Sequence, residues 1–426
     1  MSLDDGTQRR LKLYAAAFLF GMLMLQIVFA AWLSDDAYIT LRTVENAANG
    51  YGLRWNVIER VQVYTHPLWM FLLLGGRLLT GEVFYASYLV SFGCTLAALA
   101  VLFGRLSPSR TNTLIGLLLL VTSASFIDYS TSGLENPLSH LLLIIFVWLF
   151  ISSDFKQAST LFWLSFIGSL AAFNRLDTLA FYGFPVLYAW WQHGRWQGFF
   201  ALAAGQFPQI TWEIFSVIYY GFPVPNTAYA KLASGFPQSE YYARGISYLL
   251  HIIHFDPLVY AALFGALWSA ARHPDKRYLT LWLGIPLYLL YMVRIGGDFM
   301  AGRYFSTPLV LAVVIIVMTW PTEKILAKRL VGLVLITAGL ASWIIPLSPF
   351  AYPQFIELQG SDEAANYRPS TGLWIQINGN LEPEPSEFAE QGKQLKQDQI
   401  PVFAYHSVGF LGFEAGPDTF IIDKFG

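Results

Sequence analysis

The chain alternates long apolar stretches with short polar ones, and the lengths of those stretches set the first expectation. The run Tyr14–Leu33 is close to the ~20 residues that cross roughly 30 Å of hydrocarbon. Shorter runs such as Leu141–Ile151 and Pro308–Trp320 approach that length once their apolar flanks are added. The pattern predicts about eleven spans, near residues 11–33, 84–106, 112–127, 136–152, 157–173, 177–192, 197–220, 255–271, 278–294, 304–320 and 330–346. The stretch 67–80 is too short and too close to the next run for a span, and is expected as a helix lying at the membrane surface. The first run outlasts a signal-peptide core and ends in Trp32-Leu33-Ser34-Asp35 without a small-x-small cleavage site, so it is expected to remain as the first span.

Basic residues give the spans an orientation. Arg9, Arg10 and Lys12 precede the first span, which predicts a cytoplasmic N-terminus. Alternation then puts Arg105 and Arg110, Lys156, Arg195, Arg272 with Lys276 and Arg277, and Lys324 with Lys328 and Arg329 on that same side. Every expected inner connection thus carries positive charge. The expected organisation is a membrane domain over 1–346 and an extracytoplasmic C-terminal region over 347–426. Within the first, 34–83 forms an outer loop with juxtamembrane helices and 221–254 a second large outer loop. The tail mixes Pro, charge and alternating apolar runs such as 401-PVFAYHSVGFLGF-413, which reads as a small α/β piece of something longer. The fold class is therefore an all-α polytopic membrane protein with a small α/β C-terminal region.

Composition agrees with lipid as the solvent. Hydrophobic residues make up 55% of the 426 and charged ones 13%, half the ~25% of a soluble domain; mean hydropathy is +0.47. A net charge of −2 without a basic stripe gives no footing for nucleic acid. The one cysteine, Cys94, lies inside an apolar run, so neither a disulfide framework nor a thiol metal site is expected. His140, His251 and His254 form no metal-ligand spacing.

Candidate chemistry collects in the outer segments. In 34-SDDAYITLR-42, Asp35 and Asp36 follow the first span directly, where a partly desolvated carboxylate can deprotonate a hydroxyl or hold a cation. Ser and Asp there also suit a helix N-cap, and one Asp can serve each purpose. Arg54, Glu59, Arg60 and His66 add polar groups among the aromatics of the same loop, an arrangement that fits a sugar site and equally an interfacial belt. In 221-GFPVPNTAYAKLASG-235, Asn226 and Lys231 follow two prolines, and a loop lysine can clamp a phosphate or simply be solvated. In 294-RIGGDFMAGRYF-305, Asp298 and Arg303 stand five apart between two spans, either as a lipid-phosphate contact or as an ion pair joining span ends. Arg175 near Asp177, and Arg303 near Asp298, are cations placed against the orientation rule and paired, which points to work at that surface. Glu135 in 131-TSGLEN-136 and the intramembrane Glu213 are weaker candidates.

The ordered set SDDAYITLR, NAANGYGLRWN, Tyr64-Thr65-His66-Pro67-Leu68-Trp69, TSGLENPL, NRLD, VPNTAYAK, GGDFMAGRYF and AGPDTFIIDKFG resembles the GT-C superfamily of polyprenyl-phosphate-sugar glycosyltransferases. More narrowly it resembles the terminal β-(1→2)-arabinofuranosyltransferase family, over nearly the whole chain. The resemblance implies a GT-C-like fold in a bacterial plasma membrane, a polyprenyl-phosphate sugar donor such as the arabinofuranose compound, a glycan acceptor and an active site on the periplasmic face. It implies Asp36 and Asp35 at the catalytic centre, with Asp36 favoured for chemistry because Ser34-Asp35 suits capping. Arg303, Lys231 and Arg175 are then expected at the donor phosphate, and Arg42, Tyr64, His66, Glu135, Asp177, Asn226 and Asp298 around the substrates. The resemblance fixes no cofactor: some members of the superfamily need a divalent cation and others do not, and adjacent carboxylates do not decide between them. A lipid or lipid-linked-sugar transporter is the rival class, and Glu213 would serve it; a non-catalytic scaffold is a third. No internal repeat supports a transporter, and the polar groups cluster at one face instead of the midplane.

Overall fold

Caps and glycines, more than apolar length, decide where the helices stop. A computed structural model describes residues 5–227, 229, 237–321, 361–378 and 383–424. Helix Asp5–Ala30 is followed by Ser34, whose hydroxyl accepts the Ala37 N–H at 3.2 Å and starts helix Asp35–Ala48. Pro67 opens helix Pro67–Thr80, and Gly81 closes it in the left-handed region. The chain continues through helices Val83–Val101, Arg110–Val121, Asn136–Ser152, Ala158–Asn174, Leu179–His193, Trp196–Gly205 and Phe207–Tyr220. Helices Gln238–Phe255, Leu258–Arg272, Gly284–Ile295 and Arg303–Thr319 follow.

Several of these elements depart from the expected spans. Among the described residues, three helical stretches are long and apolar enough to cross a membrane: Gly6–Ala30, Val83–Leu106 and Arg277–Ile295. The pair Gln238–Phe255 and Leu258–Arg272, bent by 99°, makes a fourth if it counts as one span. Five further apolar helices, Pro67–Thr80 among them, are shorter than a full crossing. The expected span 112–127 stops at Val121, where Ser123 caps a new short helix, Ala124–Asp128. The expected span 197–220 breaks at Gly205 and Gln206, and Pro208 restarts it. The expected outer loop 221–254 contains an 18-residue helix, Gln238–Phe255, that buries Tyr248 and Ile252. Its polar first turns masked its helical period in the sequence. The expected span 330–346 lies outside the described residues.

Large apolar side chains face outward around the bundle, including Phe18, Trp191, Trp196, Phe200, Ile218 and Phe264. Water would not leave so many unburied, whereas hydrocarbon would. The chain is an integral membrane protein. Basic residues gather at one end: Lys12 Nζ donates to Thr111 Oγ1 at 3.0 Å, and Arg110 donates to Arg9 O at 2.7 Å. Arg277 likewise donates to Ile151 O at 2.7 Å.

Residues 361–378 and 383–424 dock on the opposite end. Strands Val402–Tyr405 and Phe420–Asp423 pair in parallel, with helix Gly409–Ala415 between them. Several attachments fix this region to the first loop and its neighbours. Ala301 N–H donates to Ser361 O at 3.0 Å, and the Leu33 N–H donates to Thr371 Oγ1 at 3.0 Å. Asn56 exchanges two hydrogen bonds with the Ile421 backbone, at 2.9 and 3.1 Å. Asp35 adds another, accepting the N–H groups of Gly409 and Phe410 at 3.3 and 2.8 Å. A Cβ on Gly409 would lie 1.9 Å from the Asp35 carbonyl oxygen, so no other residue fits that approach. Gly409→Ala is therefore expected to loosen residues 361–424 while leaving the membrane helices folded. Limited proteolysis in detergent checks this: faster cleavage confined to that region is expected, and a wild-type pattern would contradict the docking.

Candidate active site

Four polar turns, distant in sequence, meet at the tail-covered end of the bundle. The Ser34 N–H donates to Ser132 O at 3.0 Å, which joins the first loop to the turn before helix Asn136–Ser152. Gly133 makes this approach possible: its φ is +77°, and a Cβ there would sit 2.7 Å from the Ala37 Cβ. Asn174 Nδ2 donates to Ser139 Oγ at 2.9 Å, and Asn136 Nδ2 donates to Arg303 O at 3.1 Å. Backbone and amide bonds thus carry Asp36, His66, Glu135, Arg175, Asp177, Asp298 and Arg303 into one cluster.

Glu135 is its centre. The side chain is 1% exposed and is met by three partners. His66 Nδ1 stands 3.1 Å from Oε2, Arg303 Nη2 stands 3.5 Å from Oε1, and Arg175 Nη1 donates to the same Oε1. Burial alone would raise this carboxyl, but Arg303, Arg175 and His66 together outweigh it and hold Glu135 well below the usual range. The two guanidiniums are spent differently. Arg175 gives Nε and Nη2 to Asp177 at 2.7–3.0 Å, gives Nη1 to Glu135, and lays its face 4.8 Å from the Tyr304 ring. Three of its five N–H groups are thus committed to the two carboxylates. Arg303 keeps capacity: Nη1 lies 3.6 Å from Asp36 and 3.5 Å from Asp298, and its buried Nε has no hydrogen-bond partner.

The adjacent aspartates divide. Asp35 turns to the tail amides, and burial raises its carboxyl while those amides oppose the shift. Its oxygens hold the tail, as expected of the aspartate not favoured for chemistry. Asp36, with a side chain 35% exposed, points to Arg303 and remains reachable.

The other expected site residues fall outside the cluster. Arg42 donates to Gly416 O and Thr419 O at 3.0 and 2.8 Å and covers Trp55, so it anchors the tail. Tyr64 is buried, with its hydroxyl 2.8 Å from that of Tyr220, and ties the loop to helix Phe207–Tyr220. Asn226 is exposed, and its N–H donates to Gln62 O at 2.9 Å. Lys231 lies outside the described residues. Glu213 accepts from Gln209 Nε2 of its own helix at 2.6 Å. Among the described residues no group of three or more His, Cys, Asp or Glu side chains is placed to hold a metal ion.

One group escaped sequence reasoning. Glu363 opens helix Glu363–Thr371 with a side chain that accepts the Ser361 hydroxyl. Desolvation, with Asp36, Asp298 and Asp35 nearby, pushes its carboxyl up to about 7 against that hydrogen bond. Its only signal in the sequence was SDE after an apolar stretch, a plain capping pattern.

A solved structure shares this architecture. ArnT from Cupriavidus metallidurans, solved bound to undecaprenyl phosphate, superposes with a TM-score of 0.58 over 97% of this chain and 86% of its own, at 12% identity. In sequence the chain resembles the terminal β-(1→2)-arabinofuranosyltransferase of Mycobacterium tuberculosis, 27% identical across 98% of this chain and 80% of that protein. It also resembles the enzyme of that name from Corynebacterium glutamicum, 26% identical across 84% of this chain and 57% of that protein's length. No protein-family model matches the chain.

Two outcomes follow from these charges. Glu135→Gln removes the anion that compensates two buried guanidiniums, and should destabilise the protein by about 3–5 kcal/mol. A thermal midpoint in detergent equal to wild type would contradict the central role of Glu135. Glu363 holds its proton in the folded state to higher pH than the ordinary value of 4.5, so its contribution is complete below that value and is lost as pH rises through about 7. Thermal midpoints of wild type and Glu363→Gln should therefore diverge as pH is raised from about 5 to about 8, with wild type falling faster. Parallel curves would contradict the shift.

Proposed function

We propose that this chain is an integral-membrane glycosyltransferase that moves arabinofuranose from a polyprenyl-phosphate donor to an extracytoplasmic glycan. The observation that carries the reading is the pairing of a reachable carboxylate, Asp36, with Arg303, a buried guanidinium that still has donors to give. The names of the two relatives, and the undecaprenyl phosphate held by ArnT, supply the donor class.

On this reading the acceptor hydroxyl loses its proton to Asp36 as its oxygen attacks the anomeric carbon of the donor sugar. The bond from that carbon to the phosphate oxygen breaks, and polyprenyl phosphate leaves. Charge growing on the phosphate is met by Arg303, with Lys231 of the 221–254 loop as a second cation. Arg175 orients Glu135, and Glu135 in turn orients Arg303. Asp35 holds residues 409–415 over the site as a wall for the acceptor. The donor reaches the cluster sideways from the bilayer, on the extracytoplasmic face.

The test is sugar transfer by purified protein supplied with a polyprenyl-phosphate arabinofuranose and an arabinan-like oligosaccharide. Asp36→Asn is expected to lower kcat by at least about 10²-fold, in the range of a lost general base. Asp35→Asn keeps an acceptor for the tail amides and should lose much less. Arg303→Gln should lower turnover far more than protein yield. Equal loss in the two aspartate variants would return Asp35 to the chemistry, and full activity in Asp36→Asn would remove Asp36 from it.

A further inference from the structure

We infer that Thr40 and His66 are positioning residues that, through Glu135 and Arg303, hold the Asp36 carboxylate in place, and that neither contacts the sugar. The inference rests on the role proposed above for Asp36. Asp36 and Thr40 lie four residues apart in helix Asp35–Ala48 and so share one face. From Thr40 the side chains form a circuit. Thr40 Oγ1 is 2.8 Å from His66 Nε2, and His66 Nδ1 is 3.1 Å from Glu135 Oε2. Glu135 Oε1 is 3.5 Å from Arg303 Nη2, and Arg303 Nη1 is 3.6 Å from Asp36 Oδ2. One helical turn closes the loop back to Thr40.

Burial separates the roles within this circuit. Thr40 is 1% exposed, His66 5% and Glu135 0%, so a sugar in the aqueous cleft cannot reach them. Asp36 is the member that can be reached. A carboxylate only accepts, so the proposal assigns a proton to His66 Nδ1, 3.1 Å from Glu135 Oε2, and lets the Thr40 hydroxyl donate to Nε2. His66 is thereby fixed in one tautomer and one ring orientation. The ring stands 3.1 Å from Glu135 Oε2, an oxygen with no hydrogen-bond partner, while Oε1 meets the two arginines. The links at Arg303 are the looser ones, and they are the place where the donor phosphate enters in the proposed reaction.

Without the Thr40 hydroxyl the His66 ring is released, Glu135 can turn, and Arg303 no longer fixes Asp36. Small displacements of a base lower rate without weakening ground-state binding. Thr40→Val should therefore lower kcat about tenfold with the KM for the polyprenyl-phosphate donor within about twofold, and Thr40→Ser should restore kcat. In 15N-histidine NMR of the detergent-solubilised wild type, His66 should show a single Nδ1–H tautomer, and Thr40→Val should lose it. Wild-type kcat in Thr40→Val overturns the inference, as does equal loss in Thr40→Ser. A raised KM at unchanged kcat would make Thr40 and His66 substrate contacts, and an Nε2–H tautomer in the wild type would break the circuit. Wild-type protein that transfers nothing from a polyprenyl-phosphate sugar overturns the enzyme reading, and this role with it, whatever tautomer the NMR reports.

Discussion

The structure depends on a carboxylate buried where a carboxylate should not survive alone. Glu135 sits in the turn before helix Asn136–Ser152, and it is tolerable there because two guanidiniums and an imidazole surround it. Each partner comes from a different part of the chain: the first loop, the turn at 174–177 and the turn at 298–303. Electrostatic need thereby acts as a fastener between helices that apolar packing alone would hold in less defined register. The cluster contains Asp36, Glu135, Asp177 and Asp298 against Arg175 and Arg303, and burial, with Asp36, Asp298 and Asp35 nearby, raises the proton affinity of Glu363 as the tail brings it in.

The tail is the second constraint. Asp35, Arg42 and Asn56 all spend their polar atoms on residues 409–421. The first outer loop is therefore built to receive that region as much as to receive a substrate. This division explains why two neighbouring aspartates differ: one helps to close the site from above, and the other is left open beside Arg303.

Much of the site was legible because its ion pairs are local or conspicuous. Arg175 and Asp177 are two residues apart, Asp298 and Arg303 five, and both arginines break the charge rule for outer segments. Roles were harder to read than positions. Arg42 looked like a sugar ligand because its partners, Gly416 and Thr419, lie more than 370 residues away, and no local pattern encodes such a contact. Glu363 was missed for the same reason. The helix Gln238–Phe255 was hidden by its polar start, and the broken spans were hidden because hydropathy averages across a capped kink. Apolar length thus predicts a membrane protein well, and helix boundaries less well where turns carry their own capping residues.

The central claim is that Arg303, steadied by Glu135, receives the phosphate of a lipid-linked donor within reach of Asp36. A cryo-electron microscopy structure of the protein with polyprenyl phosphate tests it most directly. The account predicts the phosphate oxygens within hydrogen-bond distance of Arg303, with the polyprenyl chain leading sideways into lipid and the Asp36 carboxylate facing the phosphate across the space for one sugar. A phosphate bound away from Arg303, with the Glu135 cluster unchanged, would contradict it.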